Sequence, residues 1–382
     1  MIARMGPLLS LLVTATPVVP TLAPAQTPTG LFRDPEDGQL DLSEWLLTRK
    51  GFLPMPILIT EPAIGYGGGL AVAFFNQSIA ERRTPGAKLA PPTIAVAGGF
   101  YTESDSYGGA LGAFVPFRQD RFRYLGALGA ASLNVKFYGF DAEGPLADDP
   151  VDYTIEPLFL FQRLQARINR SDLFVGAHYL YLDATSTFDV ERPDEIPPRD
   201  LEVNVGGFGT SVEYDTRDNL LDAKSGLDLA GNITWYEKAF GGDESFGKAK
   251  VQGLFYGQPL ARWGYGLRLD ARVAWGDPPF FEKPYLEMRG LPALQYANDL
   301  TVLGEGELRF SITPRWALLG FIGAGRVAET WNDLADAPTV AAGGTGFRYL
   351  IARALGLGSG VDFAFGPDGD FVFYIQMGAA WR

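Results

Sequence analysis

The sequence predicts an all-β protein: a 16-stranded antiparallel transmembrane β-barrel with a short N-terminal helix. Three observations lead to this fold class. Segment after segment alternates apolar and polar residues with a period of two, as expected of strands with one face in lipid and one in a polar lumen. The segments are longer than the roughly five to six residues usual in globular strands. Their number is even, as in bacterial outer-membrane barrels.

Residues 1–25 have the features of a secretory signal peptide. Arg4 supplies the positive start, an apolar core follows, and residues 23–25 (APA) form a small-x-small cleavage site. A membrane anchor is the alternative, but prolines and a short apolar core argue against it. We therefore expect an exported chain that begins near Gln26.

Residues 26–50 are predicted to be a short periplasmic segment with one amphipathic helix. Asp41 and Glu44 have the spacing of a capping box, and Trp45 lies on the apolar face of the helix. This face is too small to fold alone. We expect the helix to lie against the membrane or the mouth of the barrel.

Residues 51–382 are predicted to form the barrel. If both chain ends lie in the periplasm, even-numbered connections should be short turns and odd-numbered ones can be long, and most connections obey this rule. The exceptions are 77–91 and the turn after Asp215, both even and long. The candidate strands are 51–60, 64–76, 92–104, 106–117, 121–137, 151–165, 171–184, 201–215, 225–238, 246–259, 262–276, 299–312, 315–327, 340–353, 354–366 and 370–381.

The alternation also assigns the two faces of individual strands. In the eleventh strand, Arg268, Asp270 and Arg272 share the lumen face and oppose a row of apolar residues. A soluble sandwich alternates as well, but full charges in the middle of long strands favour a barrel. The last strand is expected to present its apolar residues to lipid, including Phe373, Ile375 and Trp381.

Two strands carry features that interrupt regular pairing. Pro54 and Pro56 lie in the first strand, and proline cannot donate a hydrogen bond to a neighbouring strand. This strand therefore fits only at an edge or at a weak seam where the barrel closes. The apolar phase of segment 201–215 changes at Gly206 and Gly207, which predicts a β-bulge there.

Composition excludes several classes of function. The 382 residues include no cysteine and carry a net charge of −13. Thiolate nucleophiles and zinc–thiolate sites are therefore absent, and an acidic chain does not suit nucleic acid as a partner. His178 is the only histidine and is read as a wall residue rather than a catalytic base. We expect no enzyme activity, no metal and no cofactor.

Three motifs carry a resemblance to a known family. They are MRGL (288–291), YDTRDNLLDAKSG (214–226) and GEGELRF (304–310). With them, the region from about residue 51 to 382 resembles the BamA/TamA superfamily of outer-membrane barrels, the bacterial surface antigen type. In the second motif, the residues that match the turn signature of that family are Asp215, Arg217, Asp218, Asn219 and Gly226.

The resemblance implies that the loop carrying the MRGL motif folds back into the lumen. Arg289 would then be held by acidic residues on the wall, and a dry arginine needs such partners. Glu305 and Glu307 face the lumen on the strand that follows, and Gly290 lets the backbone approach the wall. The alternative is an arginine exposed to extracellular solvent.

The sequence departs from the family pattern in three places. Gly323 stands where the family carries an aspartate, so the lock on Arg289 is expected to rest on Glu307, alone or with Glu305. The chain ends in AAWR, which leaves Trp381 penultimate instead of a terminal aromatic residue. Residues 26–50 are several times too short for a periplasmic POTRA domain, so the resemblance is to the lineage that lacks these domains.

The expected localisation is the bacterial outer membrane, with outer-membrane lipids as the surroundings. The resemblance implies a factor that assists insertion or translocation of proteins, or of lipids, and outer-membrane proteins would be its substrates. A strand at a weak seam can template an incoming strand by backbone hydrogen bonds alone. A passive pore and a structural surface barrel are the alternatives. The oligomeric state, a homo-oligomer included, stays open.

Overall fold

The computed structural model of the chain describes residues 32–48, 50–76, 92–140, 144–191, 193–194, 196–367, 369, 371–379 and 381. The predicted signal peptide, the expected chain start near Gln26 and the 77–91 connection lie outside these residues. In the described part of the chain, no helix is long and apolar enough to cross a membrane.

One sheet of 16 strands contains every strand in chain order, and each strand is antiparallel to the next. This confirms the predicted fold class. The strands are β1 Gly51–Glu61, β2 Gly65–Phe75, β3 Ile94–Thr102, β4 Tyr107–Phe117, β5 Phe122–Phe137, β6 Val151–Arg167, β7 Leu173–Phe188, β8 Glu202–Asp215, β9 Gly226–Tyr236, β10 Phe246–Leu260, β11 Trp263–Gly276, β12 Leu300–Ser311, β13 Trp316–Ala328, β14 Val340–Ala352, β15 Leu357–Phe365 and β16 Phe371–Met377.

The helices are short and lie before the first strand or in the connections between strands. The predicted N-terminal helix is present as α1, Ser43–Thr48, and its first turn is capped by Asp41, which accepts a hydrogen bond from the Ser43 amide at 2.6 Å. The other helical turns are α2 Pro145–Asp148 and the 3₁₀ turns Pro198–Asp200, Lys238–Phe240, Phe280–Glu282, Asp333–Ala335 and Arg353–Leu355.

The predicted alternation of faces is confirmed along β11. Leu267 and Leu269 are 47% and 59% exposed on the outer surface, whereas Arg268 and Asp270, their neighbours in sequence, are buried on the lumen side. Successive side chains of a strand point to opposite faces, so the charges sit inside the barrel and the leucines face lipid.

The predicted bulge in β8 is wrong. The register of β8 with β7 is continuous through Gly206 and Gly207. The ladder of β8 with β9 begins at Gly207 and shows no shift in register. Gly206 is required for another reason: the outer turn Lys238–Phe240 packs on it, and a Cβ at Gly206 would lie 2.5 Å from the Phe240 carbonyl carbon. The glycine pair reflects this close approach rather than an inserted residue.

An apolar cluster fills the lumen at the extracellular ends of β5 to β10. Phe280 and Phe281 of the β11–β12 connection and Ile196 of the β7–β8 connection enter it from above. We call this set the upper apolar cluster; its buried members are Leu133, Val135, Phe137, Tyr153, Ile155, Leu180, Leu182, Ala184, Ile196, Val203, Val205, Tyr236, Phe246, Phe280 and Phe281.

Candidate functional site

The connection between β11 and β12, residues 277–299, folds back into the lumen. We call it the inserted loop. Its leucines and methionine are buried against the inner faces of β12 to β14, and Arg289 itself is only 7% exposed. The alternative of a solvated extracellular arginine is therefore wrong. The apolar contacts are made by Leu286, Met288 and Leu291 with Leu303, Val327, Val340 and Ala342.

Three carboxylates surround the Arg289 guanidinium. Its Nη1 donates to Glu307 Oε2 at 2.9 Å and to Asp362 Oδ2 at 3.0 Å. Its Nε lies 3.5 Å from Glu305 Oε1. The ring of Phe321 covers one face of the guanidinium, with 3.8 Å between Cζ and the ring centroid. Charge pairing and a cation–π contact thus act on the same buried group.

Each of these carboxylates also binds a second arginine. Arg268 donates to Glu305 at 3.0 Å, and Arg309 donates to Glu307 at 3.2 Å. Arg348 donates to both oxygens of Asp362, at 2.6 and 2.9 Å. We call these four arginines and three carboxylates the lock cluster. Because every carboxylate is shared, the cluster is one network rather than a set of separate pairs.

The expected composition of the lock needs correction at one position. The sequence assigned Glu305 and Glu307, but Asp362 on β15 is a third partner. It lies 73 residues beyond Arg289, and no local pattern indicated it. Gly323 leaves no room for a carboxylate, because a Cβ there would lie 2.5 Å from Met288 Sδ and 2.6 Å from Glu305 Cγ. Glycine in place of the aspartate therefore leaves space for Met288 of the inserted loop.

The backbone conformation of Gly290 and its close neighbours leave no space for a side chain at this position. Its φ is +97°, and a Cβ would lie 3.0 Å from Ala342 Cβ and 3.2 Å from the Phe365 carbonyl oxygen. Its amide donates to Tyr374 Oη at 3.0 Å. Since Tyr374 lies on β16, this hydrogen bond joins the inserted loop to the last strand.

The turn between β8 and β9 follows the family motif and is internally bonded. Arg217 donates to both oxygens of Asp215, at 3.0 and 2.9 Å, and its Nη2 lies 3.1 Å from Asp228 Oδ2. All three side chains are buried. Gly226 has a φ of +102°, and a Cβ there would lie 2.5 Å from the Thr216 carbonyl oxygen.

The remaining motif residues tie this turn together and to the neighbouring turn. Asp218 Oδ1 accepts hydrogen bonds from the Lys224 and Ser225 amides at 2.9 and 3.2 Å. Asn219 donates to the carbonyl of Leu355, in the β14–β15 turn, at 2.7 Å. The β8–β9 connection, which is long although its number is even, is thus an ordered turn at the periplasmic end.

Asp222 connects this turn to the lock cluster, and the sequence did not single it out. It accepts a hydrogen bond from Arg309 at 2.7 Å, and Arg309 donates in turn to Glu307. A continuous chain of charged groups therefore runs from the periplasmic turn to Arg289. The only sign of this role in the sequence is that Asp222 lies inside the 214–226 motif.

The barrel closes without a backbone ladder between its first and last strands. In the described residues, β1 pairs only with β2, and β16 pairs only with β15. Pro54 and Pro56 lie in β1, so the prediction that this strand forms an edge is confirmed. We call the junction of β1 and β16 the terminal seam.

The inserted loop spans the terminal seam from inside. The Ala293 amide donates to Glu61 Oε1 at the end of β1, at 3.0 Å, and the Gly290 amide reaches Tyr374 on β16. On the outer face, Tyr66 stacks on Phe373 with ring centroids 5.6 Å apart. Side chains and the loop therefore hold the seam where ladder hydrogen bonds are missing.

The predicted last strand is wrong at its end. β16 stops at Met377 because Gly378, with a φ of +76°, turns the chain inward. Phe373 and Ile375 face the terminal seam. Trp381, expected in lipid, is 5% exposed and lies inside the barrel, with its ring centroid 5.3 Å from Arg289 Cζ. The tail is anchored by the Ala379 amide, which donates to the Leu221 carbonyl at 2.6 Å.

The N-terminal segment is clamped onto the periplasmic end by an arginine that the sequence did not reveal. Arg315, in the β12–β13 turn, donates to Asp37 at 2.7 Å, to Asp41 at 2.6 Å and to Asp34. Its side chain is fully buried by these contacts. Arg353 donates to Asp37 at 2.6 Å. We call these ion pairs the N-terminal clasp.

The clasp holds α1 over the terminal seam. Leu46 of α1 is buried in a cluster with Leu53 and Met55 of β1 and with Met377 of β16, and Trp45 packs against this cluster. The expectation that the helix lies at the mouth of the barrel is confirmed. Apolar contacts of α1 therefore join β1 and β16, which do not pair with each other, at the periplasmic end.

The charges of the clasp shift the pKa values of its aspartates. The hydrogen bond from Arg315 lowers the pKa of Asp37 from 3.8 to about 2. Burial alone would raise the pKa of Asp41, but hydrogen bonds from Ser43, Arg353 and Arg315 outweigh burial and lower it. Both carboxylates are therefore ionised at neutral pH, as the clasp requires.

The surroundings of the acidic side chains and of His178 bear on metal binding and on base catalysis. Among the residues that the structure describes, no three His, Asp or Glu side chains are grouped to hold a metal ion. His178 lies on the lumen side of β7, where its Nε2 is 2.8 Å from Thr234 Oγ1. The ring centroids of Phe161 and His178 are 6.1 Å apart, and the interpretation of His178 as a wall residue stays a prediction.

Comparison with solved structures identifies the fold. The structure is similar to BamA from Haemophilus ducreyi lacking POTRA domains 1–3, with a TM-score of 0.59 at 12% sequence identity. The match covers 86% of this chain and 70% of the BamA chain. CdiB from Escherichia coli matches with a TM-score of 0.61 at 11% identity, and CdiB from Acinetobacter baumannii with 0.56 at 13%. These two matches cover 85% of this chain, which spans only 61% and 59% of the CdiB chains.

No family model matches the sequence, and no curated protein matches it. At identities of 11 to 13%, the likeness to solved structures is one of fold. The chain folds as an outer-membrane β-barrel of the BamA and CdiB type.

Proposed function

We propose that this outer-membrane barrel assists the insertion or translocation of proteins at the outer membrane, with the terminal seam as the working site. The observation that carries the proposal is the missing ladder between β1 and β16. Two strand edges with unused backbone donors and acceptors can pair with an incoming strand. The resemblance of the MRGL and DTRDN motifs to the BamA/TamA superfamily supports the same role.

The contacts that replace the ladder suit a junction that opens. The inserted loop holds β1 through a hydrogen bond to Glu61 and β16 through a hydrogen bond to Tyr374. A hydrogen bond to a carboxylate such as that of Glu61 contributes about 1.5–3 kcal/mol, and one to a neutral hydroxyl such as that of Tyr374 about 0.5–1.5 kcal/mol. Opening the seam breaks these hydrogen bonds, the packing of α1 and the Tyr66–Phe373 stack, whereas opening any other pair of neighbouring strands breaks a full backbone ladder.

A passive pore is the competing function, and the filled lumen argues against it. The upper apolar cluster occupies the extracellular half on one side. The inserted loop and the lock cluster occupy the side of β12 to β15. A conducting pore needs a continuous wet path, and both groups of residues would have to move to provide one.

The proposed role needs no cofactor and no catalytic residue. Backbone hydrogen bonds and apolar contacts provide the interaction with an incoming strand. We therefore propose a non-enzymatic barrel whose substrates are outer-membrane proteins; passage of a lipid at the same seam is the alternative that the experiment below separates.

Site-specific photo-crosslinking in intact outer membranes tests the proposal. A photoreactive residue at Leu58, which lines the outer groove of the seam with Phe373 and Ile375, should trap outer-membrane proteins during their synthesis. The same residue at Leu128, which is exposed on the outer face of β5, is the control. Equal labelling at the two positions, or lipid adducts alone at Leu58, would argue against protein insertion at the seam.

Engineered disulfides provide a matched second test, since the chain has no cysteine of its own. Leu58→Cys with Ile375→Cys places a bond across the seam. Val361→Cys with Ile375→Cys places one across the β15–β16 ladder, where these two residues are direct partners. With the photoreactive residue placed at Thr60, which lines the same groove, oxidation should abolish trapping at the seam only in the first pair. If both pairs behave alike, the seam does not open during function.

A further inference from the structure

A cavity of about 650 Å³ lies in the lumen beside the inserted loop, between β3 and β11. Its size falls in the range of ligand sites, about 300–1,000 Å³. It does not include the lock cluster or the terminal seam. Residues Glu282, Lys283, Pro284 and Tyr285 of the inserted loop form one of its walls.

The β3 to β6 side of the cavity is apolar and rich in small residues. Ile94 and Val96 of β3 face Leu125 and Ala127 of β5, and Gly112 of β4 lies between them. Apolar side chains that line an open space lack the contacts of a packed core. This half of the cavity can accept an apolar chain.

The β6 to β11 side is polar and cationic. The strand register makes Ser211 and Asn232 direct neighbours, then Asn232 and Lys250, then Lys250 and Arg272. One row of polar side chains therefore crosses four strands. Arg163 belongs to the adjacent row, as the direct partner of His178 on β7.

Arg163 is the cation without a matching carboxylate in the described residues. No Asp or Glu oxygen lies within the 4.0 Å of an ion pair, and Glu213 acts on the guanidinium only from a longer distance. The buried Nε of Arg163 makes no hydrogen bond. Ser211 Oγ is likewise buried without a partner. Buried polar atoms without a hydrogen-bond partner are costly, so the Nε of Arg163 and the Oγ of Ser211 point to an anionic or polar group that would accept from both.

The other cations of the lining are compensated to different degrees. Lys248 binds Glu282 at 2.7 Å, and Lys283 binds Asp299 at 2.6 Å. Lys250 lies 3.5 Å from Asp270 and within electrostatic reach of Glu287. Asp270 is also bonded by Arg268 and Arg272, and Glu287 by Arg272. The positive charge of Lys250 is therefore only partly balanced, and Lys250 is the second cation of the lining that can bind an anionic ligand.

We propose that the cavity binds a single-chain amphiphile with an anionic head group. The carboxylate or phosphate would lie against Arg163, Lys250 and Ser211, and the acyl chain along Ile94 and Val96. A fatty acid and a lysophospholipid-type phosphate share this chemistry. Both could come from the surrounding membrane, and they differ in the head group.

Native mass spectrometry of the whole mature barrel in a nonionic detergent tests the proposal. Palmitate, hexadecyl phosphate and hexadecanol carry the same chain with a carboxylate, a phosphate or no charge. We expect adducts with one or both anions at concentrations at which hexadecanol gives none. Equal binding of all three, or of none, would overturn the proposal, and the pattern of the two anions identifies the head group.

Three variants separate the cavity from binding elsewhere on the barrel. Arg163→Gln leaves no ion-paired carboxylate behind, so the barrel should still fold, and anion binding should weaken about tenfold or more. Asn232→Trp should fill the polar side of the cavity, between Ser211 and Lys250, and abolish binding of the anionic head group. Arg326→Gln removes an arginine that bonds the outer β13–β14 connection and should change nothing.

Heat-modified gel mobility establishes that each variant is folded. Anion binding that survives both Arg163→Gln and Asn232→Trp in folded barrels would place the ligand outside the cavity. The seam experiments do not depend on these variants, so the proposed function and the proposed ligand site can fail separately.

Discussion

Arg289→Met is the sharpest test of the lock cluster, because it removes the charge and keeps an apolar side chain against Phe321. Arg289 binds Glu307 and Asp362 and lies 3.5 Å from Glu305. Breaking a buried ion pair costs about 3–5 kcal/mol. Since each carboxylate keeps a second arginine, we expect a value at the lower end, about 3 kcal/mol.

A double-mutant cycle with Glu307→Gln isolates the pair. Glu307→Gln alone leaves Arg289 with two carboxylates, so we expect a loss of about 1.5–3 kcal/mol, the value of one hydrogen bond to a charged group. The double variant should be more stable than the sum of the single losses predicts, by about 1–2 kcal/mol, because both changes act on one interaction.

The assay is urea unfolding of the barrel in detergent, followed by gel mobility and tryptophan fluorescence. Arg326→Met is the matched control: Arg326 also makes several hydrogen bonds, but with Thr339 and backbone carbonyls of an outer connection. It should cost at most about 0.5 kcal/mol. Single variants with wild-type stability, and a double variant equal to their sum, would refute the lock. A gain in single-channel conductance in Arg289→Met would show that the lock obstructs the lumen.

Three further predictions follow from the same contacts. The mature barrel should migrate differently before and after boiling, because its ladder is continuous across 16 strands; identical mobility with a helical spectrum would contradict the fold. Gly290→Ala should lower the free energy of unfolding by about 1–3 kcal/mol, since its φ of +97° strains any other residue; an unchanged urea midpoint would contradict the close approach. The clasp should hold above about pH 4 and be lost as pH falls through about 2, because the folded-state pKa of Asp37 lies below its ordinary value of 3.8. Trp45 emission, measured against Trp45→Phe, should shift to the red over that range, and already at pH 7 in Arg315→Met; an emission independent of both would argue against the clasp.

The sequence by itself determined the features that depend on local geometry. A period of two decides which face of a strand each residue occupies. Arg268, Asp270 and Arg272 were therefore assigned to the lumen, and Glu305 and Glu307 with them. The prolines of β1 marked an edge because proline lacks an amide donor. Counting alternating segments was enough for the number and order of strands.

The tertiary structure alone decided which distant residues meet. Asp362 reaches Arg289 across 73 residues because barrel closure brings β15 opposite the inserted loop. Arg315 binds three aspartates more than 270 positions away, and nothing in the sequence near it indicates a partner. The inward turn at Gly378 carries Trp381 to Arg289. Such contacts depend on strand stagger and on the path of loops, which a repeat of two residues leaves undetermined.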